Sequence, residues 1–355
     1  MKKIKLAVLF GGKSSEYSVS LHSAGSLLKQ LNKELYEILY VGITEEGNWY
    51  AYEGDIDAIE HDTWFNEETC TPCILSCSEA NKGFLKLHKD MTFEKMEVDC
   101  IFPVLHGKNG EDGTLQGLFE LSGIPYVGCS HMSSAVCMDK EMTHIILENA
   151  LVPCAPYICV YDEKNLDYKN IYEQAVKKLG LPIFVKPCNA GSSYGISKIE
   201  GFDGFEKAMK EAFYHDGKGK LILETTIEGF EIGCAVMGNK DLFAGSVDEI
   251  ETDAPFFDFE GKYQMVGSHI YCPARISREL KEEAQHLALR AYKALNCSGM
   301  TRVDMFKTPD DKIIVNEVNT IPGFTATSRY PSMMKDAGIE FSDLLDKLID
   351  LACNK

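Results

Sequence analysis

The chain has 355 residues, 45% of them hydrophobic and 25% charged, so it is long enough for two or three domains and too apolar to be a disordered chain. A formal net charge of -18 excludes nucleic acid and anionic membrane as main partners, but local lysines and backbone N–H groups can still hold a phosphorylated ligand. No apolar run is long enough to span a bilayer, and 13 cysteines with no signal-peptide pattern are expected to be reduced thiols in the cytoplasm.

The apolar run Lys5 to Phe10 predicts a buried strand, the Gly-rich stretch Gly11 to Ser15 a loop, and the spacing of Val19, Leu21, Ala24, Leu27 and Leu28 a helix over 18–31. Strand, glycine turn and helix open an α/β layer with a parallel sheet. Glu16, at the helix start, either satisfies the helix dipole or faces a bound ligand. Further strands are expected over 34–44, 98–105 and 124–127, with a helix over 114–121. Cys70-Thr71-Pro72-Cys73, with Cys77 behind it, reads as a surface loop carrying ordinary thiols, with a zinc or redox site as the alternative. A domain boundary is expected near Gly128.

The second part, 129–226, reads as a small α+β lid on an antiparallel sheet, with a helix from Lys140, strands over 181–187, 196–199 and 220–224, and a helix over 205–213. Lys186 at a strand end, followed by Gly191-Ser192-Ser193-Tyr194-Gly195, suits a phosphate cradle, and a plain turn fits the pattern as well. Lys140 and Lys262 are further candidate phosphate contacts, and Glu224 and Glu231 flank a segment that could hold an adenosine.

The third part, 227–355, is expected to carry a largely antiparallel sheet, a helix over 278–295 and a terminal helix over 341–351. Its hairpin holds the main cluster. Alternation in Thr301-Arg302-Val303-Asp304-Met305-Phe306 puts Arg302 and Asp304 on one face, and Ile314-Val315-Asn316-Glu317-Val318-Asn319 does the same for Glu317 and Asn319. Two carboxylates and an amide oxygen suit Mg²⁺, and a solvated strand face has the same pattern. The loop Thr320 to Thr325 can offer the N–H of Gly323 to an oxyanion.

In this order the strings LFGGKSSEYSVSLHSA, FPVLHGKNGEDGTLQGLFELSGIPYVG, MDK, FVKPCNAGSSYGISK, FFDFEGKY, TRVDMF and NEVNTIPGFT resemble the D-alanine:D-alanine ligase family, of the ATP-grasp fold, across nearly the whole chain. The resemblance implies that a D-alanine carboxylate attacks the γ-phosphate of ATP and that a second D-amino acid takes the acyl group. It implies Mg²⁺ (with Mn²⁺ as a substitute) on Asp304, Glu317 and Asn319. It places Lys140, Lys186 and Lys262 on the ATP phosphates and Glu231 on the ribose, with Glu224 beside them in the ATP site. Arg302 and Gly323 become the oxyanion hole, and Glu16, Ser192 and Ser328 the network around the first D-alanine. His106, Phe259 and Tyr263 fall in the substrate subsites, Phe257 to Tyr263 being a mobile loop over the site. Members are commonly homodimers.

Two positions depart from the family pattern. Ser18 stands where a second acidic residue is usual, which puts the wiring near the first D-alanine in question. Arg329 stands where D-Ala:D-Ala ligases carry Leu, and replaces apolar packing by hydrogen-bond donors suited to the hydroxymethyl group of D-serine. With Phe259, Arg329 resembles the vancomycin-resistance D-alanine:D-serine ligases. No His lies between Asp248 and Tyr263, unlike the D-lactate-selecting relatives. The alternative is a D-Ala:D-Ala ligase of ordinary peptidoglycan synthesis.

Overall fold

The computed structural model describes residues 2–252 and 268–354. Among these residues the strands form three sheets.

The first sheet is mixed. β1 (Ile4–Gly11) pairs parallel with both β2 (Tyr36–Ile43) and β7 (Cys100–Pro103). β3 (Trp49–Tyr52), β4 (Cys70–Ser76), β5 (Gly83–Leu87) and β6 (Phe93–Met96) continue it antiparallel. The parallel centre is buried from Leu6 to Phe10, as a strand covered on both faces requires. Helix α1 (Tyr17–Gln30) packs one face. The Cys70 to Ser76 segment is thus a strand and not a surface loop. Its side chains alternate, so Cys70 packs with one core cluster and Cys73 with the other. Two thiols three apart on a strand point to opposite faces and cannot share a metal. The expected strand over 124–127 reduces to a single bridge, Tyr126 to Ile101.

Helices α2 (Ile56–Glu60), α3 (Thr114–Ser122) and α4 (His131–Met138) precede α5 (Lys140–Asn149). Asp139 caps α5 by accepting from Met142 N–H, which leaves Lys140 at the first helical position. The second sheet has the order β10-β9-β11-β8, all antiparallel: β8 (Tyr157–Tyr161), β9 (Ile183–Pro187), β10 (Ser197–Ile199) and β11 (Lys220–Thr225). Helices α6 (Tyr168–Leu179) and α7 (Phe205–Asp216) cover it.

The third sheet has the order β14-β13-β12-β15-β16, from β12 (Phe230–Gly238), β13 (Phe243–Thr252), β14 (Ser268–Tyr271), β15 (Gly299–Lys307) and β16 (Ile313–Asn319). α8 (Arg278–Ala294) packs on it. The last helices, α9 (Arg329–Asp336) and α10 (Phe341–Cys353), bring Tyr330, Met333, Leu344 and Leu348 into one core with Leu6, Phe10 and Leu21. The C-terminal end of the chain is therefore welded to the first sheet, and the loop after β16 is pressed against α1.

Candidate active site

The β15–β16 hairpin brings its four polar residues together by register: Arg302 opposes Asn319 and Asp304 opposes Glu317. Arg302 donates to both carboxylate oxygens of Asp304, Nε to Oδ1 and Nη2 to Oδ2, each at 2.7 Å, and Asn319 Nδ2 donates to Oδ2 at 2.8 Å. Asp304 is buried. A bulge follows the Asp304–Glu317 pair, so Met305 opposes Val315 and Asn316 has no opposite number. Asn316 thereby reaches the same cavity as Glu317, which period-two reasoning alone does not show. Two carboxylates and two amides make an oxygen-rich donor set that fits a hard divalent cation. Carboxylate oxygens carry enough lone pairs to serve a guanidinium and a cation together.

A cavity of about 390 Å³ lies between the second and third sheets, lined by Lys140, Lys186, Phe230, Glu231, Asn316 and Glu317 among others. That is ample for a small ligand. Lys186 is buried and donates to Glu224 Oε2, and His144 Nε2 donates to Glu224 Oε1 at 2.9 Å. Burial alone would push the Glu224 carboxyl up. Lys186 and His144 reverse that and hold it at about 2. Glu224 thus anchors Lys186. Its two oxygens are engaged by Lys186 and His144, and the residue also lines the first cavity. Lys140 Nζ donates to Ala190 O at 2.9 Å, which ties the α5 N-terminus to the glycine loop.

That loop separates the first cavity from a second, of about 660 Å³, because Ala190 and Gly191 line both. Ser192 and Ser193 both take left-handed backbone angles, φ 49° and 59°, a strained conformation for residues with a Cβ. The strain aims the Ser192 hydroxyl at Glu16 Oε1, which accepts from it. Glu16 is buried at the N-terminus of α1, whereas Ser18 is on the exposed side. The acidic residue missing at position 18 therefore removes nothing from this buried contact.

Around Glu16 lie His106, which the family resemblance places in a substrate subsite, and Glu111, which the sequence patterns do not single out. The Glu111 carboxyl is enclosed, although part of the residue reaches solvent, and accepts from the N–H groups of Gly107 at 2.8 Å and Ile321 at 3.2 Å. Burial, together with the Glu16 charge, pushes it up to about 8. His106 is buried. Its Nδ1 lies 3.1 Å from Ile321 O and its Nε2 3.2 Å from Ser23 Oγ, so both ring nitrogens are engaged by the protein. Gly323 sits on this same loop. Ser328 Oγ accepts from Thr325 N–H at 3.0 Å and fixes the turn into α9.

Arg329 does not project alone into a subsite. Its Nε and Nη2 donate to the two oxygens of Asp248 at 2.7 and 2.8 Å, and Nη1 donates to Glu231 at 2.8 Å and lies 3.3 Å from Asp304 Oδ1. Asp248 is fully buried. Burial opposes the guanidinium charge, but Asp248 and Asp304 hold its pKa well above the ordinary value. Gly233 on β12 lies beneath the pair: a Cβ there would come within 2.4 Å of Arg329 Nη2 and 2.7 Å of Asp248 Oδ1. Glu231, expected on a ribose, has a carboxylate oxygen on Arg329 while also lining the first cavity. Phe259, Lys262, Tyr263 and the 257–263 loop lie outside the described residues.

The family models for the D-ala D-ala ligase N-terminus and C-terminus match residues 5–129 and 146–350. The D-alanine–D-alanine ligase of Caldicellulosiruptor bescii is 43% identical over 358 residues, which covers 100% of this chain and 96% of that protein. The vancomycin/teicoplanin A-type resistance protein VanA of Enterococcus faecium is 41% identical, covering 99% of each. The crystal structure of the VanG D-Ala:D-Ser ligase from Enterococcus faecalis superposes with a TM-score of 0.90 at 46% identity, covering 99% of this chain and 100% of that one.

Proposed function

The chain belongs to the D-alanine–D-alanine ligase family, with the ATP-grasp fold, and is an ATP-dependent ligase; from that premise we propose that it joins D-alanine to D-serine through a D-alanyl phosphate. The observation that carries the choice of D-serine is the buried Arg329–Asp248 pair beside Asp304. A site meant only for a methyl group gains nothing from a buried ion pair, whose desolvation is costly. A hydroxymethyl group can exchange hydrogen bonds with such a pair, and a site built around that contact discriminates against substrates lacking it. The VanG D-Ala:D-Ser ligase supports this reading. The more numerous relatives named D-alanine–D-alanine ligase favour D-alanine as the second substrate.

In the proposed reaction ATP occupies the first cavity, with Lys140, Lys186 and Lys262 at its phosphates and Glu231 at its ribose. Glu224 acts by fixing Lys186. Asp304, Glu317 and Asn319 would hold Mg²⁺, which neutralises charge on the phosphates when bound. Glu16 and Ser192 orient the first D-alanine, whose carboxylate takes the γ-phosphoryl group and releases ADP. The amine of the second amino acid then attacks the acyl carbon. Arg302 and the Gly323 N–H stabilise the oxygen that becomes negative, phosphate leaves, and the amine loses its proton. The working division is 1–128, 129–226 and 227–355. No helix among the described residues is long and apolar enough to cross a membrane, and we place the enzyme in the cytoplasm as a homodimer feeding modified peptidoglycan precursors that give vancomycin resistance. Phosphate release from ATP and Mg²⁺ tests the reading: D-serine added to D-alanine should raise the rate well above D-alanine alone. Equal rates would favour D-alanine as second substrate, and no release with either would defeat the ligase assignment.

A further inference from the structure

We infer that Glu111, His106 and Ser23 act together as positioning residues that hold the 320–325 loop, and with it the Gly323 N–H, at the reacting acyl group. The inference rests on the ligase reading above. One short stretch of backbone is held by residues more than two hundred positions away in the chain.

Both polar groups of the Ile321 residue are held. Its N–H donates to Glu111 Oε1 at 3.2 Å, and its carbonyl accepts from His106 Nδ1 at 3.1 Å. A carbonyl only accepts, so Nδ1 carries the proton. Burial favours the neutral ring, whose Nε2 then accepts the Ser23 hydroxyl proton across 3.2 Å. With its proton so directed, Ser23 Oγ presents a lone pair to the Phe324 N–H at 3.5 Å. Gly323 lies between these fixed points, Ile321 and Phe324. The other Glu111 oxygen accepts from Gly107 N–H at 2.8 Å, next to His106, so the clamp is itself anchored. Apolar packing supports the same arrangement: the Phe324 ring meets Phe102 of the first sheet edge-on, with centroids 5.7 Å apart.

The chemistry gives this clamp a specific signature. Transfer of the γ-phosphoryl group to the first D-alanine does not use the oxyanion donors. Attack by the second amine does, because only then does the acyl oxygen take on full charge. A donor misplaced by about 1 Å can slow a step on the order of a hundredfold. With the clamp loosened, the acyl phosphate still forms but waits longer for the amine. Water attacking the phosphorus instead, a step that forms no tetrahedral oxyanion at the carbon, then breaks the P–O bond and returns D-alanine and phosphate without a dipeptide.

The test compares phosphate released with dipeptide formed in the full-length enzyme and in Glu111→Ala, Ser23→Ala and Ser23→Thr. The wild type should release one phosphate per dipeptide. Glu111→Ala and Ser23→Ala should make dipeptide about tenfold or more slowly, with phosphate in excess of dipeptide and a KM for ATP within about twofold of wild type, while Ser23→Thr, which keeps the hydroxyl, restores the ratio to near one. If Glu111→Ala does not fold, the two Ser23 variants carry the test. A ratio of one in both alanine variants, or a rise in the KM for ATP without uncoupling, would overturn the inference. A wild type that forms no dipeptide would instead overturn the ligase reading itself.

Discussion

Glu224 and Glu111 are enclosed carboxyl groups at opposite ends of one site, and their environments drive them in opposite directions. Glu224 is held at about 2, while Glu111 is pushed up to about 8. Burial raises both. The difference is the partner: Glu224 has Lys186 and His144 on its oxygens, and Glu111 has backbone N–H groups with Glu16 nearby. Glu224 sits among opposed charges in contact, and Glu111 among hydrogen bonds to the backbone. Interference at the first should therefore act through unpaired charge, and at the second through geometry and protonation.

The largest effect is expected from Lys186→Met. It leaves a buried carboxylate with His144 but without its lysine and removes the proposed phosphate contact, so stability should fall by about 3–5 kcal/mol and ATP turnover should drop to background, checked by thermal melts and a phosphate assay. A melt unchanged from wild type would show that the pairing does not govern this end. Arg329→Leu comes next. Alone it leaves Asp248 buried and unpaired, at a similar cost of about 3–5 kcal/mol. Arg329→Leu with Asp248→Asn should recover most of that stability while shifting the dipeptide product from D-serine toward D-alanine. A double variant as unstable as the single one would break the charge-pairing account.

Smaller effects concern pH. Glu111 has a folded pKa above its unfolded one, so its contribution is fully present below about pH 4.5 and is lost as pH rises through about 8. Glu111→Gln should remove a slope of at most about 1.4 kcal/mol per pH unit across that window. An unchanged slope in a denaturation series from pH 5 to 8 would contradict the assignment. Glu224 runs the other way: its contribution is present above about pH 4.5 and is lost as pH falls toward 2. Glu224→Gln should therefore flatten only the acid limb.

The nucleotide end was the more legible in sequence, for a physical reason. Arg302, Asp304, Glu317 and Asn319 meet because two adjacent strands have a side-chain period of two and a short turn, both of which can be read locally. Lys186 was legible as a strand-end lysine, but its partner Glu224 lies on the next strand and His144 on a helix, and no local pattern joins them. The Glu111–His106–Ser23 clamp comes from a loop, a helix and a segment two to three hundred residues on, so only the folded chain assembles it. Arg329 stood out as an unusual residue type, but Asp248 and the space over Gly233 that make it a buried pair did not. In the fold, the apolar central strands and long amphipathic helices were readable. The strands β3 to β6, β8 and β14 and the helices α2, α4, α6 and α9 escaped; apart from α6 with its 12 residues, they span eight residues or fewer, too few for a period to declare itself.

Mass identification of the dipeptides that the unaltered protein forms from ATP, Mg²⁺ and equimolar D-alanine and D-serine decides which second substrate the site selects. D-Ala-D-Ser as the main product is predicted. D-Ala-D-Ala as the main product would contradict the role given to Arg329 and Asp248.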